Sequence, residues 1–113
     1  MNAPRRGEVW NIGFDPTRGH EQAGVRPALI LSVDGFNTSG AKLVTVLPIT
    51  SKPRAVRTRV EVHPPEGGLI VASYVIAEQT RTVSTDRLIK SLGAVSETTM
   101  ARVSDIVRML LGL

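Results

Sequence analysis

Short apolar runs rich in β-branched residues, cut apart by glycine and proline and followed by one stretch of helical period, constrain this chain most. Gly7 to Ile12 alternates polar with apolar and predicts a strand, with Val9 and Trp10 as core anchors. Phe14-Asp15-Pro16-Thr17 has turn chemistry, since Asp bonds its own backbone ahead and Pro presets φ. A long connection then runs to Gly24, and its glycines predict a mobile loop. Arg26 to Val33 reads as an apolar strand buried on both faces, with Pro27 at its start. Asp34 to Gly40 is a turn-rich connection, and Lys42 to Thr50 is a third strand carrying Val44, Thr45, Val46 and Ile49. Thr58 to Val62 alternates as a half-exposed strand does, and Pro64 to Gly68 is another turn. Ile70–Ile76 and Thr80–Val83 predict two further short strands, and Asp86–Ser91 one helical turn. From Ser96, a predicted N-cap, the period changes: Met100, Val103, Val107 and Leu110 recur at helical spacing, with Arg102, Asp105 and Arg108 off that stripe and Gly112 as the stop. Several strands and then one helix predict a mainly β protein, a small barrel with a C-terminal α-helix packed on it.

With 113 residues, one core and one domain spanning 1–113 are expected. One Trp, one Tyr and two Phe argue against an aromatic platform for single-stranded nucleic acid, which needs several rings. The absence of cysteine excludes disulfides and thiolate metal sites. His20 and His63 lie far apart and no acidic cluster has ligand spacing, so no metal and no cofactor is expected. No run approaches the roughly 20 apolar residues of a membrane span, and the start of the chain has no apolar leader; a cytoplasmic protein with no membrane partner is expected. Residues 1–60 hold nine cations against four acids, and residues 61–113 hold five against six. That asymmetry favours a polyanionic partner whose binding weakens with salt. A solvated edge built from Lys52, Arg54, Arg57 and Arg59 is the plain alternative. The apolar end Met109-Leu110-Leu111 would be covered by a second copy of the chain or by its own barrel.

Functional groups concentrate in Gly19-His20-Glu21-Gln22-Ala23-Gly24-Val25-Arg26-Pro27, where an imidazole, a carboxylate, an amide and a guanidinium precede an apolar run. Such density points to a loop that handles an anion or moves a proton. Its companion is Leu47-Pro48-Ile49-Thr50-Ser51, an apolar run ending in two hydroxyls.

These two segments, together with Gly7-Glu8-Val9-Trp10 and Glu78-Gln79-Thr80-Arg81-Thr82-Val83, resemble the MazF/PemK family of toxin endoribonucleases in order and spacing along nearly the whole chain. The resemblance implies an SH3-like (PemK-like) barrel that forms a homodimer. It also implies metal-independent, sequence-selective cleavage of single-stranded RNA and neutralisation by a cognate acidic antitoxin. The family's catalytic arginine and threonine fall on Arg26 and Thr50. One departure is Glu78, where members more often carry Asp before Gln. Some members place proton transfer on an acid–arginine pair in that later strand, so the general base and acid stay open.

Metal-free cleavage uses the ribose 2′-OH as nucleophile and needs a proton acceptor, charge stabilisation at phosphorus and a donor to the departing 5′-oxygen. Arg26 suits charge stabilisation, being planar, always cationic and shaped for bidentate phosphate contact; a structural ion pair with Glu21 is the alternative. Thr50 can donate its hydroxyl hydrogen to a phosphoryl oxygen. Glu21 is assigned to the catalytic set chiefly as the orienter of Arg26 or of RNA. His20, Gln22, Ser51, Lys52, Arg54, Gln79 and Arg81 are the expected RNA contacts. Two other functions fit the same barrel: a non-enzymatic toxin that binds DNA gyrase, and an SH3-like RNA- or protein-binding module.

Overall fold

A computed structural model describes residues 3–14 and 24–113. Seven antiparallel strands form one curled sheet: β1 (Glu8–Phe14), β2 (Gly24–Ile30), β3 (Leu43–Thr50), β4 (Arg59–Val62), β5 (Ser73–Ile76), β6 (Arg81–Ser84) and β7 (Leu88–Ala94). A one-turn helix α1 (Asp34–Asn37) follows β2, and α2 (Glu97–Leu111) closes the chain. The strands run in the order β4-β5-β3-β2-β1-β7, with β6 on β3. The mainly β architecture with a C-terminal helix is thus the one expected. Among the described residues no helix is long and apolar enough to cross a membrane.

Alternation along β1 explains why the sheet needs cover on both faces. Val9 joins Leu29, Leu47, Ile49, Val60, Val62, Val75 and helix residues Val103 and Val107 in one cluster. Trp10, Ile12 and Phe14 point the other way, onto Ala28, Ile30, Val44, Val46, Val83 and Leu88. In β2 the consecutive Ala28, Leu29 and Ile30 are each fully buried, as a strand covered on both faces requires. That strand differs from its predicted span: it stops at Ile30, and Pro27 lies inside it rather than at its start. Proline is tolerated there because Pro27 faces only Asn11 of β1; the ladder to β3 begins at Ala28.

Strand β3 organises the sheet by changing partners. Leu43 to Val46 pair with β6, and Ile49 and Thr50 pair with β5. Pro48 falls in the gap between these ladders, where one side of the strand has no pairing to lose.

Two predicted elements change in kind. Of the helical turn expected over Asp86–Ser91, only Asp86 and Arg87 fall in a 3₁₀ turn (Thr85–Arg87), and Leu88 onward is strand β7. Its register against β1 slips twice, between Val9 and Trp10 and between Asn11 and Ile12. Each slip breaks the period of two that marks a strand in sequence. Ile70 and Val71, expected at the head of a strand, are exposed residues of a loop, and β5 starts at Ser73.

Helix α2 has the predicted caps. Ser96 Oγ accepts from the Thr99 N–H at 3.1 Å, and Gly112 turns left-handed at φ 71°. Glu66 adds a second tie, its Oε2 accepting the Ser96 N–H at 2.9 Å. The Thr99 hydroxyl, with help from Ser96 and Arg102, holds the Glu66 carboxyl below its ordinary value against the opposing effect of burial. Burying Val103 on the sheet contributes roughly 1.5–3 kcal/mol. The predicted stripe fails at its end: Leu110 is exposed with Met109, Leu111 and Leu113, while Ile106 packs on the core.

The two outer strands, β4 and β7, do not pair; glycine backbone brings their ends together instead. The 3₁₀ turn Glu66–Gly68 after β4 lies directly on β7. A Cβ on Gly68, whose φ is +70°, would sit 2.0 Å from the Leu92 carbonyl oxygen, and one on Gly93 would sit 2.8 Å from the Gly68 nitrogen. Gly68→Ala should therefore lower stability by about 2–4 kcal/mol, combining left-handed strain with overpacking. Gly35→Ala, with open space around it, should be close to neutral. Urea unfolding of both variants checks this, and equal midpoints would show that the contact does not close the sheet.

Candidate active site

A half-open cavity of about 350 Å³ lies beside this closure, lined by Arg26, Pro27, Ile49, Thr50 and Ser51 from the ends of β2 and β3, by Gly68, Leu69, Ile70, Val71 and Leu92 from the closure, and by Asn11 and Ser73. Its volume is within the usual range for ligand pockets. Arg26 and Thr50 come to it from two strand ends. β2 from Gly24 to Pro27 extends past its ladder with β3, which leaves Arg26 exposed. Continuing the Ala28–Pro48 register by two residues brings Arg26 level with Thr50.

Thr50 is 8% exposed and sits where β3 meets Tyr74 of β5. Its Oγ1 accepts the Lys52 N–H at 3.2 Å, which orients the hydroxyl. Accepting that bond leaves the O–H hydrogen for another acceptor, and among the described residues it has none. The cavity thus sets a fixed cation and a hydroxyl donor against an apolar wall, an arrangement suited to a phosphodiester with its attached base. Among the described residues, no three His, Asp or Glu side chains converge as a metal site needs.

A family model described as the PemK-like, MazF-like toxin of type II toxin–antitoxin systems matches residues 5–111. The chain belongs to this family. It is 35% identical over 114 residues to the endoribonuclease MazF9 of Mycobacterium tuberculosis, covering 96% of this chain and 97% of that one. Among solved structures it is similar to MazF from Deinococcus radiodurans, with a TM-score of 0.87, 29% identity and full coverage of both chains. It is also similar to a mycobacterial endoribonuclease in complex with its cognate antitoxin, with a TM-score of 0.76 and 29% identity over 100% of this chain and 97% of that chain.

For this PemK-like toxin the cavity gathers three of the residues singled out in the sequence, Arg26, Thr50 and Ser51. Glu21, His20 and Gln22 lie outside the described residues. Lys52 and Arg54 follow Ser51 in an exposed, irregular segment and do not line the cavity. Gln79 ends the 3₁₀ turn Ala77–Gln79. Arg81 opens β6 with its guanidinium 5.0 Å from the Phe14 ring centre, and its buried Nη1 has no hydrogen-bond partner among the described residues. Asn11 and the Ile70–Val71 rim were missed in the sequence. Strand register alone sets Asn11 across from Pro27, and the rim has the apolar composition of a strand.

Glu78, the residue that departs from the family pattern, is engaged elsewhere. It accepts the Thr58 hydroxyl at 2.7 Å and Arg59 Nε at 3.2 Å, and the Arg59 side chain is only 8% exposed. Burial raises the Glu78 carboxyl, but the hydrogen bonds from Thr58, its own backbone and Arg59 outweigh it, so the group ionises below its ordinary value. A carboxyl lowered on folding stabilises the fold above its unfolded pKa, and that contribution is lost as pH falls through the folded value. Glu78→Gln should thus be less stable than wild type near neutral pH, and the difference should vanish well below the ordinary value of 4.5. Urea midpoints across pH check this; a difference that persists in acid would place the effect in packing rather than charge.

Proposed function

We propose that the protein is the toxin of a toxin–antitoxin pair and a metal-independent endoribonuclease, cutting single-stranded RNA at selected sequences. The convergence of Arg26 and Thr50 in one cavity supports this most directly. A phosphodiester bound there receives a bidentate contact from the Arg26 guanidinium and a hydrogen bond from the Thr50 hydroxyl. Both interactions strengthen as negative charge builds on the phosphoryl oxygens, which favours the transition state over the ground state. The ribose 2′-oxygen attacks the adjacent phosphorus and gives up its proton to a base. The bond to the 5′-oxygen breaks, and that oxygen takes a proton. The products are a 2′,3′-cyclic phosphate and a 5′-OH, and DNA, lacking the nucleophile, is left intact. Glu21 stays in this scheme as the orienter of Arg26, on its place in the sequence. Ser51 supplies a further hydrogen bond from the rim of the same cavity. The acidic antitoxin competes with RNA for the cationic half of the chain.

The working unit in this proposal is a homodimer. Met109, Leu110, Leu111 and Leu113 leave an apolar surface at the end of α2 that a second copy would cover. Sedimentation should give twice the 12.2 kDa chain mass; a 12.2 kDa species at micromolar concentration would argue for a monomer.

Cleavage of a long single-stranded RNA in excess EDTA tests the chemistry. Discrete cuts bearing cyclic phosphate are expected. Arg26→Ala should slow them on the order of 1,000-fold and Thr50→Ala on the order of 100-fold, with Thr50→Ser largely active. Intact RNA under conditions where the protein inhibits gyrase would instead support a non-enzymatic toxin.

A further inference from the structure

Selectivity among RNA sequences requires a group that reads a base, and the catalytic pair cannot supply it, since phosphate contacts carry no sequence information. One uncommitted group shares the cavity with that pair. Asn11 lies on the β1 face opposite to Trp10 and Ile12, across from Pro27, and is one of the residues that line the cavity. It is half-buried, and among the described residues its carboxamide has no hydrogen-bond partner. A carboxamide with an open acceptor and an open donor, side by side, is the side-chain chemistry that pairs with a base edge.

The apolar part of the same lining offers the face such a base needs. Ile70 is 91% exposed and Val71 51% exposed, and both line the cavity together with Leu92. Exposure of this extent for isoleucine leaves apolar surface that a flat ring would cover. In a chain with only four aromatic residues this ledge takes the part that stacked rings play elsewhere.

We infer that Asn11 is a specificity residue, reading the hydrogen-bonding edge of a nucleobase next to the cleaved phosphate while Ile70 and Val71 support that base's face. The inference rests on the endoribonuclease proposal above. Single-stranded RNA suits the arrangement, because its unpaired bases expose the edge to be read. Binding of the base also fixes the phosphate between Arg26 and Thr50, so recognition and positioning are coupled through one nucleotide.

The test uses the full chain on a randomised single-stranded RNA pool in EDTA, with the new ends sequenced. Asn11→Ala should reduce the preference at one position by about 10-fold or more while cleavage continues at relaxed sequences. Asn11→Asp, which can only accept, should move the preference at that position toward guanine, whose N1–H and N2–H lie side by side. Ile70→Ser should raise KM about five-fold and leave the preferred base unchanged. Wild-type preference retained in Asn11→Ala and Asn11→Asp would overturn the inference and leave the endoribonuclease proposal standing. An RNA pool left intact by the wild type would overturn both. Urea unfolding checks that the variants are folded, and Asn11→Ser, closer in polarity, replaces any that is not.

Discussion

The close approach of Gly68 to Leu92 and Gly93 is the contact on which the rest of this molecule depends. β4 and β7 share no ladder, so the sheet would lie open along that seam if the turn after β4 did not settle on β7. Backbone can come this near to backbone only where no side chain intervenes. The same seam does two further things. It carries Leu69, Ile70 and Val71 into the cavity lining, and it presents Glu66 to the first turn of α2, where a carboxylate complements the helix N-terminus. Closure, helix docking and the shape of the site therefore share one cause.

Strand β3 links that closure to chemistry. Its first half is committed to β6 and its end to β5, and the change of partner delivers Thr50 to the cavity on a rigid element rather than on a loop. β2 runs alongside but outreaches its ladder, so Arg26 is anchored by a strand yet exposed at the cavity. A cation and a hydroxyl held on adjacent strands lose little freedom when a phosphate binds, which is the condition under which electrostatic stabilisation is effective. The exposed end of α2 lies outside this cavity and is the surface that the proposed homodimer would cover.

Membership in the PemK-like toxin family was legible because its signals are local. The Gly19–Pro27 segment, the Leu47–Ser51 run and the capped terminal helix each encode their chemistry or geometry in consecutive residues, and the paired Arg26 and Thr50 could be named from them. Errors arose where structure is cooperative. Leu88–Ser91 of β7 reads as part of a helical turn because two register slips erase the strand's alternation, and Ile70–Val71 reads as strand because apolar, β-branched composition cannot tell a covered strand from an exposed rim. Glu78 precedes the active strand in sequence, but across the sheet it is held by Thr58 and Arg59.

By itself, the sequence determined which local elements form and which functional groups are available, since periodicity, caps, turn residues and side-chain chemistry act over a few neighbouring positions. The tertiary structure decided which of those groups meet. Asn11 shares a cavity with Arg26 and Thr50 only through the register of β1 on β2, and Gly68 reaches Leu92 only because the sheet curls. Both are contacts between residues distant in the chain, set by strand pairing and burial on two faces, and no short stretch of sequence encodes them.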